Sequence, residues 1–291
     1  MKNSLGIHAG VWTGDWSPEN TKLAVAKTVE SGYSIIEVTG SDPTSIDTGL
    51  LKAEIEGAGL TAAVSMGLTF DADVNTEDPV ILARGRRRLD EALEMASAIG
   101  TKYLAGCLYS TLGKYPGPAT AKARANSVAA VRDLAQGAAE SGITVSLEVV
   151  NRYESNLINT AEQALRYIDE VGEDVYVHLD TYHMNIEEGD LARPVALVGE
   201  RLGYVHVGES HRGYLGSGTI DWARFFRALA DSQYGGPITF ESFSTAVVDP
   251  ILSNGLSVWR NLWSDSTDLA LHARSFIEGQ LTAALQGENQ A

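Results

Sequence analysis

Residues Ile143 to Val149 read ITVSLEV, and the next apolar run, Val175 to Asp180, reads VYVHLD. Each is too short for a helix, rich in Val, Ile and Leu, and carries an acid near its carboxyl end, the pattern of a buried parallel strand that interrupts its own hydrophobicity once. Side-chain alternation puts Val145, Leu147 and Val149 on one face and Thr144, Ser146 and Glu148 on the other. The same parity sends Val175, Val177 and Leu179 outward and Asp180 inward.

Working outward, six further runs match these two: Leu5 to Val11, Ser34 to Val38, Thr61 to Met66, Lys102 to Tyr109, Gly203 to Val207 and Pro237 to Glu241. Between them lie amphipathic stretches with helix signals, at Thr21 to Ser31, Ser45 to Ala58, Pro79 to Gly100, Ala119 to Ser141, Thr160 to Val171, Asp221 to Asp231 and Ser266 to Leu285. Asp78-Pro79 supplies a cap and a first-turn proline, and Gly100 marks an exit. Dividing 291 residues among eight units gives about 36 each, enough for a strand, a helix and two loops. No Pro/Ser-rich linker or low-complexity tract intervenes, and the first strand leads into HAGVWTGDW without a GxGxxG. The expectation is an α/β chain forming a single (β/α)8 TIM barrel, one catalytic domain over residues 1–291, with no nucleotide cofactor.

Composition narrows the function. With 44% hydrophobic and 21% charged residues the chain is globular, and 22 Lys+Arg against 38 Asp+Glu give a net charge of −16, which repels a phosphate backbone. Nucleic acid and membrane are therefore not expected partners. The run Arg84-Gly85-Arg86-Arg87-Arg88 spreads over more than one helix face and is followed by Asp90, Glu91 and Glu94, a solvated or intersubunit surface. The one cysteine, Cys107, sits in an apolar strand and reads as a small buried hydrophobe. One thiol and the absence of a signal-peptide core or an apolar run of about 18 residues give a cytoplasmic expectation.

Four ionisable residues fall inward near strand ends: Glu148, Asp180, His206 in GYVHV and Glu241 in PITFE. Carboxylates crowded at one barrel mouth repel one another and lose solvation, and a buried cation compensates for both costs. Three oxygen ligands with one imidazole suit Mn2+, Mg2+ or Co2+ better than structural Zn2+. Glu154, His183, His211 and Arg212 follow in loops after strands five, six and seven, where such barrels carry their sites. His178 lies one layer below Asp180 and reads as a hydrogen-bonded core histidine, and His272 as a surface residue. Glu37 faces inward to support the pocket floor or pair with a base, outside the catalytic set. His8, Trp12, Met66 and Tyr109 are the candidate pocket-lining residues, and the loop GYLGSGT reads as a flexible glycine loop.

The segments LEVVNRYE, HLDTYHMNIEE, VHVGESHRGYLGSG and FESFS, in that order and with WTG and WRNLW near the two ends, resemble the ketose 3-epimerases, the D-tagatose and D-allulose (D-psicose) 3-epimerases of the xylose-isomerase-like barrels. The resemblance implies that Glu148, Asp180, His206 and Glu241 hold one divalent metal per subunit, Mn2+ first with Co2+ or Mg2+ as alternatives. It implies that Glu148 and Glu241 are also the acid/base pair, and that Glu154, His183 and Arg212 bind the sugar. The expected reaction is inversion at C3 of a free ketose through a cis-enediolate, for D-fructose/D-allulose, D-tagatose/D-sorbose and ketopentoses such as ribulose/xylulose, by a homodimer or homotetramer. Aldose–ketose isomerisation at the same metal and a noncatalytic sugar-binding barrel stand as alternatives. Cleavage at abasic DNA would require more histidines and a basic surface.

Overall fold

The structure is a computed structural model and describes residues 3–40, 42–248 and 250–286, so residues 1–2, 41, 249 and 287–291 of the expected 1–291 domain lie outside the described residues. Eight parallel strands close into a barrel in chain order: β1 (Leu5–His8), β2 (Ile35–Thr39), β3 (Thr61–Leu68), β4 (Tyr103–Thr111), β5 (Thr144–Glu148), β6 (Val175–Asp180), β7 (Leu202–Val207) and β8 (Ile238–Phe240). Closure is made by β1 against β8, with Gly6 opposite Thr239. Each strand coincides with an apolar run of the sequence.

Helices α1 (Pro18–Glu30), α2 (Thr48–Gly57), α3 (Pro79–Ile99), α4 (Ala121–Glu140), α5 (Ala161–Val171), α6 (Thr181–Glu187), α7 (Ala192–Val198), α8 (Trp222–Asp231), α9 (Pro250–Gly255) and α10 (Ser266–Gln286) complete the chain. Their ends follow local chemistry. Asp78 accepts the backbone N–H groups of Val80 and Ile81, and Gly100 closes α3 with φ +75°, a left-handed conformation that costs glycine nothing. Thr160 and Gln163 cap α5 reciprocally. None of the described helices is long and apolar enough to cross a membrane.

Helices α6, α7 and α9 were not expected, because six or seven residues are too few to show a 3.6-residue period. One of them moves a candidate: His183, expected in a loop, lies on α6. That helix starts without a break from β6, with Asp180 as both the last strand residue and the N-cap, its Oδ1 accepting Tyr182 N–H at 2.8 Å.

Outward residues of the strands, such as Val145, Leu147, Val177, Leu179 and Val205, pack with the helices into the main core. The barrel interior is much smaller: Ile35, Ala63, Ala105 and Tyr204, with Tyr103 against them, fill its lower layers. Above them the inward positions turn polar, with Glu37, His178 and His206 fully buried beneath the mouth.

Candidate active site

Glu148, Asp180 and His206 on β5 to β7 and Glu241 just after β8 meet at the mouth. Nδ1 of His206 is 3.7 Å from Glu148 Oε1 and 3.6 Å from Glu241 Oε1, and ligand atoms of Asp180, His206 and Glu241 all lie within 4.8 Å of one another. That nitrogen is buried and has no hydrogen-bond partner. Its distances to the carboxylates are too long for hydrogen bonds and suit a small cation between them. The donors, carboxylate oxygens and one imidazole nitrogen, fit a hard or borderline divalent ion, so the residues present match the group the sequence implied.

Loops and the short helix α6 bring the remaining candidates to the same point. Arg212 donates from Nη1 to Asp180 Oδ2 at 3.0 Å and to Glu241 Oε2. Its guanidinium lies over the Tyr182 ring, 3.8 Å from the centroid, and its backbone adopts φ +63°. Left-handed backbone at a non-glycine residue is strained and needs support. The support comes from the Ser242 hydroxyl, which donates to the Arg212 carbonyl while accepting Trp263 Nε1–H at 2.8 Å.

His183 Nδ1 accepts the backbone N–H of Asn151 at 3.1 Å, which leaves the proton on Nε2, 3.4 Å from Glu148 Oε1 and 3.6 Å from Asp180 Oδ2. Asn151 also donates from Nδ2 to Glu154 Oε1 at 2.7 Å, so one side chain sets both Glu154 and His183. Nothing in the sequence analysis singled out Asn151, although its place between Glu148 and Glu154 in LEVVNRYE is the signal that could have done so.

A cavity opens on these groups, lined by Glu148, Glu154, His183, Arg212 and Glu241 on its polar side. His8, Thr39 and Ser65 add small polar groups, while Met66, Leu112, Phe243, Leu252 and Leu256 make an apolar wall. Two pocket expectations fail. Tyr109 is fully buried within β4, its hydroxyl donating to the Glu148 carbonyl oxygen at 2.7 Å, and Trp12 packs in the core with Nε1–H on Thr28 Oγ1 at 3.1 Å. The unexpected α9 and the turn after it supply Leu252 and Leu256 in their place.

His178 also departs from expectation: both ring nitrogens lack hydrogen-bond partners, the ring standing edge-on to His206 with centroids 4.2 Å apart. His211 turns away, its Nδ1 accepting Gly213 N–H and its Nε2 facing Ser217 Oγ. Glu209, not singled out from sequence, is buried and accepts from Ser210 N, Gly216 N and Trp222 Nε1, so the glycine loop expected to be flexible is anchored.

The two glutamates differ in proton affinity. Burial disfavours charge on Glu148, but His178, His183 and His206 outweigh it and hold the carboxyl well below the usual carboxylate range. Burial pushes Glu241 up to about 7; Arg212 and His206 oppose the rise, and Asp180 and Glu148 add to it.

Residues 25–262 match the family model of the xylose isomerase-like TIM barrel. The chain is 52% identical over 274 residues to an L-ribulose 3-epimerase of Methylomonas sp. (strain DH-1), covering 94% of this chain and 96% of that protein. It is 47% identical over 280 residues to a ketose 3-epimerase of Arthrobacter globiformis, with 96% and 97% of the two chains covered. It superposes with TM-score 0.94 and 51% identity on a crystal structure of N-terminally His-tagged D-allulose 3-epimerase from Methylomonas sp. in complex with D-allulose, over 96% of this chain and 97% of that one.

Proposed function

Because the chain belongs to the ketose 3-epimerases of the xylose isomerase-like TIM barrel family, a family of carbohydrate isomerases, we propose that it inverts C3 of free ketoses by proton removal and return between Glu148 and Glu241. The observation that carries this reading is the pair itself: two carboxyl groups, Glu148 and Glu241, within 3.7 Å of His206 Nδ1 and lining one cavity, with the neighbouring imidazoles holding Glu148 low while burial pushes Glu241 up. Environments that split two carboxyls in this way assign one as base and the other as acid.

Glu148 takes the proton from C3, the carbon next to the C2 carbonyl, and becomes neutral. Glu241 delivers its own proton to the opposite face and becomes ionised, and transfer of a proton from Glu148 back to Glu241 through solvent restores the starting state before the next turnover. In the reverse direction the roles exchange. Glu148, Asp180, His206 and Glu241 are the residues that would hold a divalent cation, Mn2+ in our reading. When bound, such an ion neutralises charge growing on the sugar oxygens and orients the reacting carbon.

Arg212, His183 and Glu154 supply hydrogen bonds for the oxygens at the reacting end of the sugar. Asp180 uses one oxygen to cap α6 and turns the other to Arg212, so helix geometry fixes its orientation. The apolar wall of Met66, Leu112, Phe243, Leu252 and Leu256 limits water around the rest of the sugar.

Substrates in this reading are the pairs D-fructose/D-allulose and D-tagatose/D-sorbose together with ketopentoses such as ribulose/xylulose, supported by relatives named for L-ribulose and D-allulose. A homodimeric or homotetrameric assembly and a cytoplasmic location belong to the same proposal. The test is incubation of metal-stripped and Mn2+-restored protein with D-fructose, D-tagatose and ribulose, followed by chromatography of the products. C3 epimers that appear only with metal support the reading, and an aldose product or no conversion counts against it.

A further inference from the structure

Glu37 is a buried acid that the mechanism does not use. Glu37, on β2, is completely buried, and its hydrogen-bond partners are an imidazole and hydroxyls, with no Lys or Arg among them. A buried carboxylate of this kind is costly, and Leu or Met would fill the same space at less expense.

Both carboxylate oxygens lie 2.9 Å from His206 Nε2. The Tyr204 hydroxyl donates to Oε2 at 2.7 Å and is itself 2.7 Å from Thr239 Oγ1. Thr239 in turn depends on Gly6, where a Cβ atom would come within 2.3 Å of Oγ1. Three strands, β2, β7 and β8, thus contribute to one polar chain under the site, and Gly6 on β1 leaves room for it.

We propose that Glu37 is the positioning residue of His206, fixing its tautomer and ring orientation so that the Nδ1 lone pair faces the carboxylates of Glu148 and Glu241. A carboxylate can only accept, so Nε2 keeps its proton against Glu37 and Nδ1 is the nitrogen that gives up a proton and binds an electrophile. The carboxylate also increases the basicity of the ring it holds, as acidic partners of metal-binding histidines do. Tyr204 and Thr239 keep Glu37 from rotating away.

The inference rests on the reading of the site as a metal centre, and its test separates the two. Mn2+ is titrated calorimetrically into metal-stripped wild type, Glu37→Gln, Tyr204→Phe and Asp180→Asn, with the melting temperature of each metal-stripped protein recorded alongside. Glu37→Gln should bind Mn2+ about 10- to 100-fold more weakly than wild type, and excess Mn2+ should restore most of its kcat. Tyr204→Phe, which keeps the charge and removes one of its anchors, should show a smaller, severalfold weakening and carries the test if Glu37→Gln does not fold. Unchanged affinity in Glu37→Gln, or in Tyr204→Phe where it alone folds, overturns the inference, as does a loss that tracks melting temperature across the variants. Failure of wild type to bind Mn2+, or equal binding by Asp180→Asn, overturns the metal reading and the inference with it.

Discussion

The hydroxyl of Tyr109 donates to the carbonyl oxygen of Glu148 at 2.7 Å, tying β4 to the carboxyl end of β5 where the proposed base stands. The same hydroxyl lies 3.2 Å from the Ile158 carbonyl, in a site with no access to water. Tyr109→Phe leaves both carbonyls without this donor. We expect a loss of about 1–3 kcal/mol of stability, read as a lower midpoint in chemical denaturation, with kcat/KM falling because Glu148 loses its anchor.

Glu148→Gln and Glu241→Gln each remove a proton carrier and weaken a metal ligand while keeping side-chain shape. Turnover should fall by at least about 10²-fold in either variant, with circular dichroism unchanged. Substantial residual epimerase activity in one of them would remove that residue from the pair.

Arg212 combines a two-carboxylate contact, stacking on Tyr182 and strained backbone, none of which lysine reproduces. Arg212→Lys should lower kcat/KM about 10- to 100-fold, equivalent to about 1.4–2.8 kcal/mol. Ser242→Ala should lower it less, since it removes only the hydrogen bond to the Arg212 carbonyl. Steady-state kinetics on the two variants checks the order.

Metal binding should release protons. Burial lowers the affinity of His206 for a proton, but Glu37, Glu241 and Glu148 outweigh it and raise its pKa well above the usual value. At neutral pH and below, the imidazole therefore carries a second proton that an ion must displace, and apparent affinity falls as pH falls. Calorimetry at pH 6.5 in two buffers of different ionisation enthalpy should report release of about one proton per ion. No release would contradict the assignment of His206 as a ligand.

The barrel and its four inward ionisable groups were legible because strand parity is local: Glu148, Asp180, His206 and Glu241 declare their face through their immediate neighbours. Contacts made across the barrel were not. Glu37 was visible as an inward acid, yet its partner His206 is far away in sequence, and only the closed sheet brings the two together. Tyr109 and Trp12 were misplaced because an aromatic ring near a strand end reads the same whether it turns to the helices or to the mouth. Leu252 and Leu256 escaped notice because α9 and the turn after it are too short to show periodicity, and Asn151 because its role lies in orienting two neighbours.

The central claim, proton exchange at C3 between two carboxyl groups, is most directly tested by running the Mn2+-restored reaction in D2O and locating deuterium in the sugars by NMR. The account expects the C3 epimer to carry deuterium at C3 and none at C1. An aldose product with deuterium at C1 or C2, or an epimer formed without deuterium at C3, would contradict it.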